Sequence, residues 1–207
     1  MKCRRRLLVG LLAVLGHGIA VAQTAAPRHD AASALLVVDA QVGVLASVWQ
    51  AERVTANLQK LVAKARAAGA PVIWVQHADN ELKYGSDRWQ LAPGFVPAAS
   101  ESVVHKQYNS AFARTDLDAR LKSLGVSRIV LAGAATNWCI RATAYAAVDR
   151  GYQLTLVGDA HSTEPIPVPG GKDIPAEAIV TDLNTVFEWL SVPDVRTEVR
   201  TTADVAF

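Results

Sequence analysis

Short apolar runs alternate with amphipathic stretches from residue 34 to the C-terminus. Residues 34–38 (ALLVV) are an unbroken apolar run that stops at Asp39, the pattern of a strand covered on both faces. Val54, Leu58, Leu61, Val62 and Ala65 then recur at helical spacing and end before Gly69, which predicts a helix of about four turns. Residues 71–76 (PVIWVQ) read as the next strand, and Val103-Val104 as a shorter one ending at His105-Lys106. Thr115 with Asp118 three residues on matches a capping box, predicting a helix that runs to Gly125. Beyond it the pattern predicts a strand at 128–131, a helix at 139–150 closed by Gly151, a strand at 153–157, a helix at 175–190 and a strand at 195–199. Strands alternating with helices imply an α/β domain, a parallel sheet with helices on both faces. The chain shows no internal repeat and no second domain, and its 207 residues suit one domain of ordinary size.

Two irregular stretches interrupt the alternation. Residues 78–102 carry Tyr84, Trp89 and Phe95 among polar residues and prolines. A loop of that length in a compact domain is usually functional or disordered, and its aromatics favour an ordered flap over a substrate pocket. Residues 162–174 are rich in Pro and Gly, but Gly170-Gly171-Lys172 lacks the spacing of a phosphate-binding loop.

The first 33 residues break the pattern differently. Lys2, Arg4, Arg5 and Arg6 precede the uncharged apolar run 7–22, which ends in Ala20-Val21-Ala22. A basic head, a short apolar segment and a small-x-small site are the parts of a secretory signal peptide, with cleavage expected after Ala22. The run is too short to span a bilayer and is diluted by Gly10, Gly16, His17 and Gly18. The expected organisation is therefore leader 1–22, polar linker 23–33 and a single domain 34–207, located in the periplasm or secreted, with no stable membrane insertion after cleavage. Four of the 21 basic residues leave with the leader, so the formal charge of +2 becomes −2 in the mature chain, with 17 basic and 19 acidic residues. No basic stripe remains, and nucleic-acid binding is not expected.

The same cleavage removes Cys3 and leaves Cys139 as a single thiol. Such a thiol is either buried and inert or retained for its chemistry. In open parallel sheets ligands sit at the carboxyl ends of the strands. Asp39 ends the first predicted strand, Lys106 ends the third, and Cys139 opens the helix after the fourth. Taken singly, each has an ordinary structural role. Together they place an acid, a cation and a thiol on one edge of one sheet, the set needed for nucleophilic catalysis. A helix start and a nearby ammonium would both favour the thiolate, and Asp39 could act as general base and then general acid.

These residues sit in segments that resemble the isochorismatase-like cysteine hydrolases: LLVVDAQ (35–41), HKQYNSAFARTDLDARLKSLGV (105–126), IVLAGAATNWCIRATAYAAVDRGYQLTLVGDAHST (129–163), NTVFEWL (184–190) and TTADV (201–205). The resemblance implies a Rossmann-like three-layer α/β/α sandwich with a mainly parallel six-stranded sheet. It also implies a catalytic triad of Asp39, Lys106 and Cys139, a cis peptide before Ala135, and an oxyanion hole formed by the N–H groups of Ala135 and Cys139. Nicotinamidases of that superfamily carry a metal-binding Asp-x-His and further histidines. Here the corresponding region reads His77-Ala78-Asp79-Asn80, with no other histidine before His105, so neither a metal nor another cofactor is expected. The implied chemistry is hydrolysis of a small carboxamide through a thioester. A thiol-redox role for Cys139 and an isochorismatase-type vinyl ether hydrolysis are the alternatives. The family suggests a homo-oligomer. Gln41, His77, Trp89, Tyr108, Phe112 and Trp138, which flank the triad in sequence, are the candidate substrate-binding residues, and His161 is expected to be structural.

Overall fold

The computed structural model describes residues 32–207; the expected leader and nearly all of the linker lie outside the described residues. Six strands, β1 (Ser33–Val38), β2 (Val72–His77), β3 (Ser102–Lys106), β4 (Arg128–Ala134), β5 (Gln153–Ser162) and β6 (Thr197–Arg200), pair in the order β3-β2-β1-β4-β5-β6, every pair parallel. Alternation along each strand sorts the core into two halves. Leu35 and Val37 of β1, with Trp74, Val130 and Ala132, meet Val54, Leu58, Leu61, Val62 and Ala65 of α2 (Ala51–Ala67). Leu36 and Val38, with Ile73, Val75, Ile129 and Leu131, meet α3 (Leu117–Ser123), α4 (Arg141–Val148) and α5 (Ala176–Trp189). The result is the expected three-layer α/β/α sandwich. Its central strand β1 is wholly buried because helices cover both of its faces. No helix among the described residues is long and apolar enough to cross a membrane.

The structure departs from the sequence pattern where small or polar residues continue a strand. β4 runs on to Ala134 and β5 to Ser162, through Gly133 and through Gly158-Asp159, with a register shift between Leu131 and Gly133. Gly133 is required there. Its φ is +131°, and a Cβ would lie 1.9 Å from the Val38 carbonyl oxygen, so only glycine lets the end of β4 lie this close to the end of β1. A short helix α1 (Val42–Leu45) follows β1 directly. The capping box at Thr115 is not formed. The Thr115 hydroxyl donates to the Ala111 carbonyl (2.6 Å), Asp116 occupies the N-cap, and Asp118 instead pairs with Lys122 and accepts from the Tyr152 hydroxyl.

The flap is ordered by specific anchors. Gln41, fully buried, donates to the Trp89 and His77 carbonyls and accepts from the His77 N–H. At the far end Glu101 takes a forked pair of bonds from Arg66 and one each from the Trp74 indole and the Ala98 N–H. Arg66 and these donors hold the Glu101 carboxyl down to about 2. Phe95 packs on Trp74 at 5.9 Å between ring centroids and so helps fasten this segment to the domain.

Candidate active site

The chain leaves β1 toward β2 on one side and returns to β4 on the other, so a crevice opens at the carboxyl ends of these strands. Asp39 caps β1 with φ +51° and its N–H bonded to the Val75 carbonyl. His77 and Lys106 are the paired last residues of β2 and β3. Cys139 does not open an α-helix. It lies within a five-residue π-helical turn, Thr136–Ile140, between β4 and α4, and the Ala134–Ala135 peptide before that turn is cis.

These elements converge on one ammonium group. Lys106 Nζ donates to Asp39 Oδ2 (2.8 Å) and Cys139 Sγ (3.1 Å) and lies 3.1 Å from His77 Nδ1, one acceptor for each of its three N–H bonds. His77 turns its other ring nitrogen to Asp79 Oδ2 at 3.1 Å, so the imidazole that accepts from Lys106 donates to Asp79. Asp39, His77 and Cys139 place donor atoms within 4.8 Å of one another, close enough to share a metal ion. In this structure the Lys106 ammonium is the cation they share, and a metal there would have to displace it.

Burial alone would lower the pKa of Lys106, but the Asp39 carboxylate and the hydrogen bonds to Asp39 and Cys139 outweigh it and the net direction is up. The ammonium is therefore retained. For Cys139, 8% exposed, burial and then the Asp39 charge push the thiol up to about 12, and Lys106 offsets only part of this. Desolvation thus outweighs the neighbouring cation that was expected to favour the thiolate, and the group rests as a neutral thiol. Asp39 Oδ1 is buried and has no hydrogen-bond partner among the described residues, which leaves one carboxylate oxygen free at the site.

A cavity of about 530 Å³ opens over this group. Asp39, His77, Ala135, Trp138 and Cys139 line it, and Trp138 is 58% exposed on its wall. Four other candidates stand elsewhere. Gln41 and Trp89 are held in the flap anchor. Phe112 is core, stacked on Tyr152 under the Arg150 guanidinium. Tyr108 is 44% exposed beneath Arg114 and faces a separate cavity shared with Tyr84 and His105. Sequence proximity misplaced these because all four lie outside the strands, in connecting segments whose paths are set by their own anchors rather than by the strand ends.

Sequence reasoning also missed part of the lining: Arg88 and Leu82 from the flap, Asn109, Asn137, and residues 163–167. Had β5 been followed to Ser162, the strand-end rule would have pointed to Thr163 and Glu164. His161 lies inside β5, fully buried. Asn184 Nδ2 donates to the Gly158 carbonyl, so its Oδ1 accepts from His161 Nε2–H, and His161 Nδ1 then accepts from the Thr136 hydroxyl. Burial holds the imidazole down to about 4, hence neutral. His161 thereby pins the first residue of the turn that carries Cys139.

The isochorismatase domain profile matches residues 33–165, well over half of the chain. The protein belongs to the isochorismatase family. Similarity to a streptothricin hydrolase from Streptomyces noursei is 36% identity over 174 residues, spanning 77% of this chain and 68% of that one. With the ureidoacrylate amidohydrolase RutB of Enterobacter sp. (strain 638) it is 29% over 210 residues, spanning 81% and 87%. An isochorismatase crystal structure from Pseudomonas putida KT2440 superposes with a TM-score of 0.75 at 27% identity, over 84% of this chain and 90% of that one. As a member of this family the protein is a hydrolase, and the crevice at the switch point of its sheet is where open α/β sheets in general bind ligands.

Proposed function

We propose that the protein is an exported cysteine hydrolase that cleaves the C–N bond of a small carboxamide through a thioester on Cys139. The observation that carries this is the buried ammonium of Lys106 held between the Asp39 carboxylate and the Cys139 thiol, with Asp39 Oδ1 left free. The amidohydrolase names of relatives agree with it, and export rests on the N-terminal 22 residues alone.

The neutral thiol dictates the order of events. As Sγ attacks the amide carbonyl carbon, its proton passes to Asp39, so that a free thiolate does not accumulate in the resting enzyme. The carbonyl π electrons move to oxygen, and the N–H groups of Ala135 and Cys139 receive the oxyanion. Asp39 then delivers its proton to the departing nitrogen, the C–N bond breaks, and an amine or ammonia leaves. Water attacks the thioester with Asp39 as base, releasing the carboxylate and restoring the thiol. Lys106 remains an ammonium throughout, balancing whichever of Asp39 and Cys139 carries the negative charge.

A thiol-redox role is weakened by the same features, since oxidant-sensing cysteines are exposed and of low pKa, whereas Cys139 is buried and pushed up to about 12. Ammonia release from a panel of small amides, with Cys139→Ala as control, tests the proposal. The substitution should lower turnover about a thousandfold or more, and undiminished turnover by the variant overturns it.

A further inference from the structure

The charged groups around the cavity are unevenly divided. Apart from the buried Asp39 and Lys106, which neutralise one another, the lining contributes Asp79, Glu81 and Glu164 against Arg88. Asp79 is fixed as an anion. Its Oδ1 accepts from the N–H groups of Glu81 and Leu82, and its Oδ2 faces His77. Glu81 and Glu164 are exposed, and neither carboxylate has an ion-pair partner among the described residues. Arg88 is partly committed: its stem packs on Gly43, where a Cβ would lie 3.0 Å from both Arg88 Cβ and Nε, and its Nη2 reaches the Gly43 carbonyl at 3.4 Å.

A second feature points the same way independently. Trp138, next to the nucleophile, leaves more than half of its surface exposed on the cavity wall. A cation seated over an indole ring is attracted by its π-system. At the floor, the free Asp39 Oδ1 accepts a proton or N–H and offers nothing to an anion.

We propose that this cavity selects amides bearing a positive charge away from the scissile bond, an ammonium or guanidinium seated between the Trp138 indole and the Glu81 and Glu164 carboxylates. The inference rests on the amide-hydrolase reading for the scissile group, while the charge selection belongs to the cavity itself. A substrate whose second group is a carboxylate would meet three anions and one partly engaged guanidinium.

The potential met by a charged amide at Cys139 is measurable without any turnover. Methanethiosulfonate reagents convert the thiol to a mixed disulfide and release methanesulfinate, and they exist in matched charged forms. The mature protein is treated with the 2-aminoethyl (cationic) and 2-sulfonatoethyl (anionic) reagents at low ionic strength. Labelling is followed on the Cys139 peptide by mass spectrometry, and each rate is divided by that with 2-mercaptoethanol. The cationic reagent should react about tenfold faster than the anionic one, and 0.5 M salt should collapse the ratio. In the Glu81→Gln/Glu164→Gln variant the ratio should fall to about threefold or less. A wild-type ratio of one or below overturns the proposal and makes Arg88 the dominant charge. A ratio unchanged in the double variant overturns the assignment to Glu81 and Glu164. Because labelling needs only the thiol, these outcomes stand apart from loss or retention of ammonia release in Cys139→Ala.

Discussion

Replacing Asp39 with Asn should make Cys139 more reactive toward an alkylating agent while destroying hydrolysis. The two effects have opposite signs because the carboxylate has two consequences for the thiol: it accepts its proton during attack, and it opposes its ionisation at rest. The donor atoms of Asp39 and Cys139 lie within 4.8 Å of one another. At an effective dielectric constant of about 20, a unit charge at that distance is worth about 3 kcal/mol, or about two pKa units. Removing it should bring the thiol from about 12 toward 10 and raise the thiolate fraction at pH 8 about a hundredfold. A less basic thiolate is a weaker nucleophile by about tenfold for that shift, leaving a net gain of about tenfold in alkylation rate. Asn keeps the shape of Asp and an oxygen to accept from Lys106, so Lys106 keeps its place beside the sulfur, and as the thiol ionises its own charge takes over from Asp39 in holding the ammonium. The assay is the second-order rate of iodoacetamide labelling of the Cys139 peptide from pH 6 to 10, alongside ammonia release. Wild-type labelling should rise tenfold per pH unit with no plateau in that range, and the Asn variant should run above it and begin to level near pH 10. If the variant labels at the wild-type rate or more slowly, the account of a thiol kept neutral by burial and by Asp39 is wrong.

Three further outcomes follow from other parts of the molecule. Gly133→Ala forces a Cβ to 1.9 Å from the Val38 carbonyl oxygen and should cost about 3 kcal/mol or more in urea unfolding; Gly125→Ala, also at positive φ but with open space, should cost about 1 kcal/mol, and equal losses would refute the close-approach argument. Stability should fall on acidification in two windows. His161, neutral in the fold with its pKa lowered to about 4, is charged in the unfolded chain below about 6.5, so stability is lost between those values; Glu101, lowered to about 2 and only 8% exposed at its side chain, contributes fully above about 4.5 and loses up to about 3 kcal/mol as pH falls toward 2. Urea midpoints against pH should show both declines, Glu101→Gln should remove only the lower one, and a flat profile from pH 6.5 to 4 would contradict a buried neutral His161. Finally, protein recovered from the periplasm or medium should begin at Gln23, and an intact Met1 there would exclude the leader.

How much of this was legible beforehand depends on whether a feature is written as a pattern of residue types or as a contact. The sheet and its helices are patterns: β1, β2 and α2 could be read from apolar runs and helical spacing because helices cover both faces of the strands and one face of α2 is buried. The meeting of Asp39, Lys106 and Cys139 could be read because residues at and just beyond the ends of buried parallel strands share an edge. The ends of β4 and β5 could not, since Gly133 and Gly158-Asp159 look like breaks until the neighbouring backbone is in place. The π-helical turn is equally silent in sequence, and it moves Cys139 from a helix start into a buried turn. The electrostatics there follow from burial first and from the Asp39 charge second. The neighbouring Lys106 ammonium favours the thiolate, but burial and the facing Asp39 carboxylate raise the thiol. The same three residues thus support two different chemical schemes, a preformed thiolate or a thiol deprotonated during attack, and only their depth in the fold distinguishes them. Under the proposed hydrolysis it is burial, invisible in the spacing of Asp39, Lys106 and Cys139, that calls for a base at Asp39.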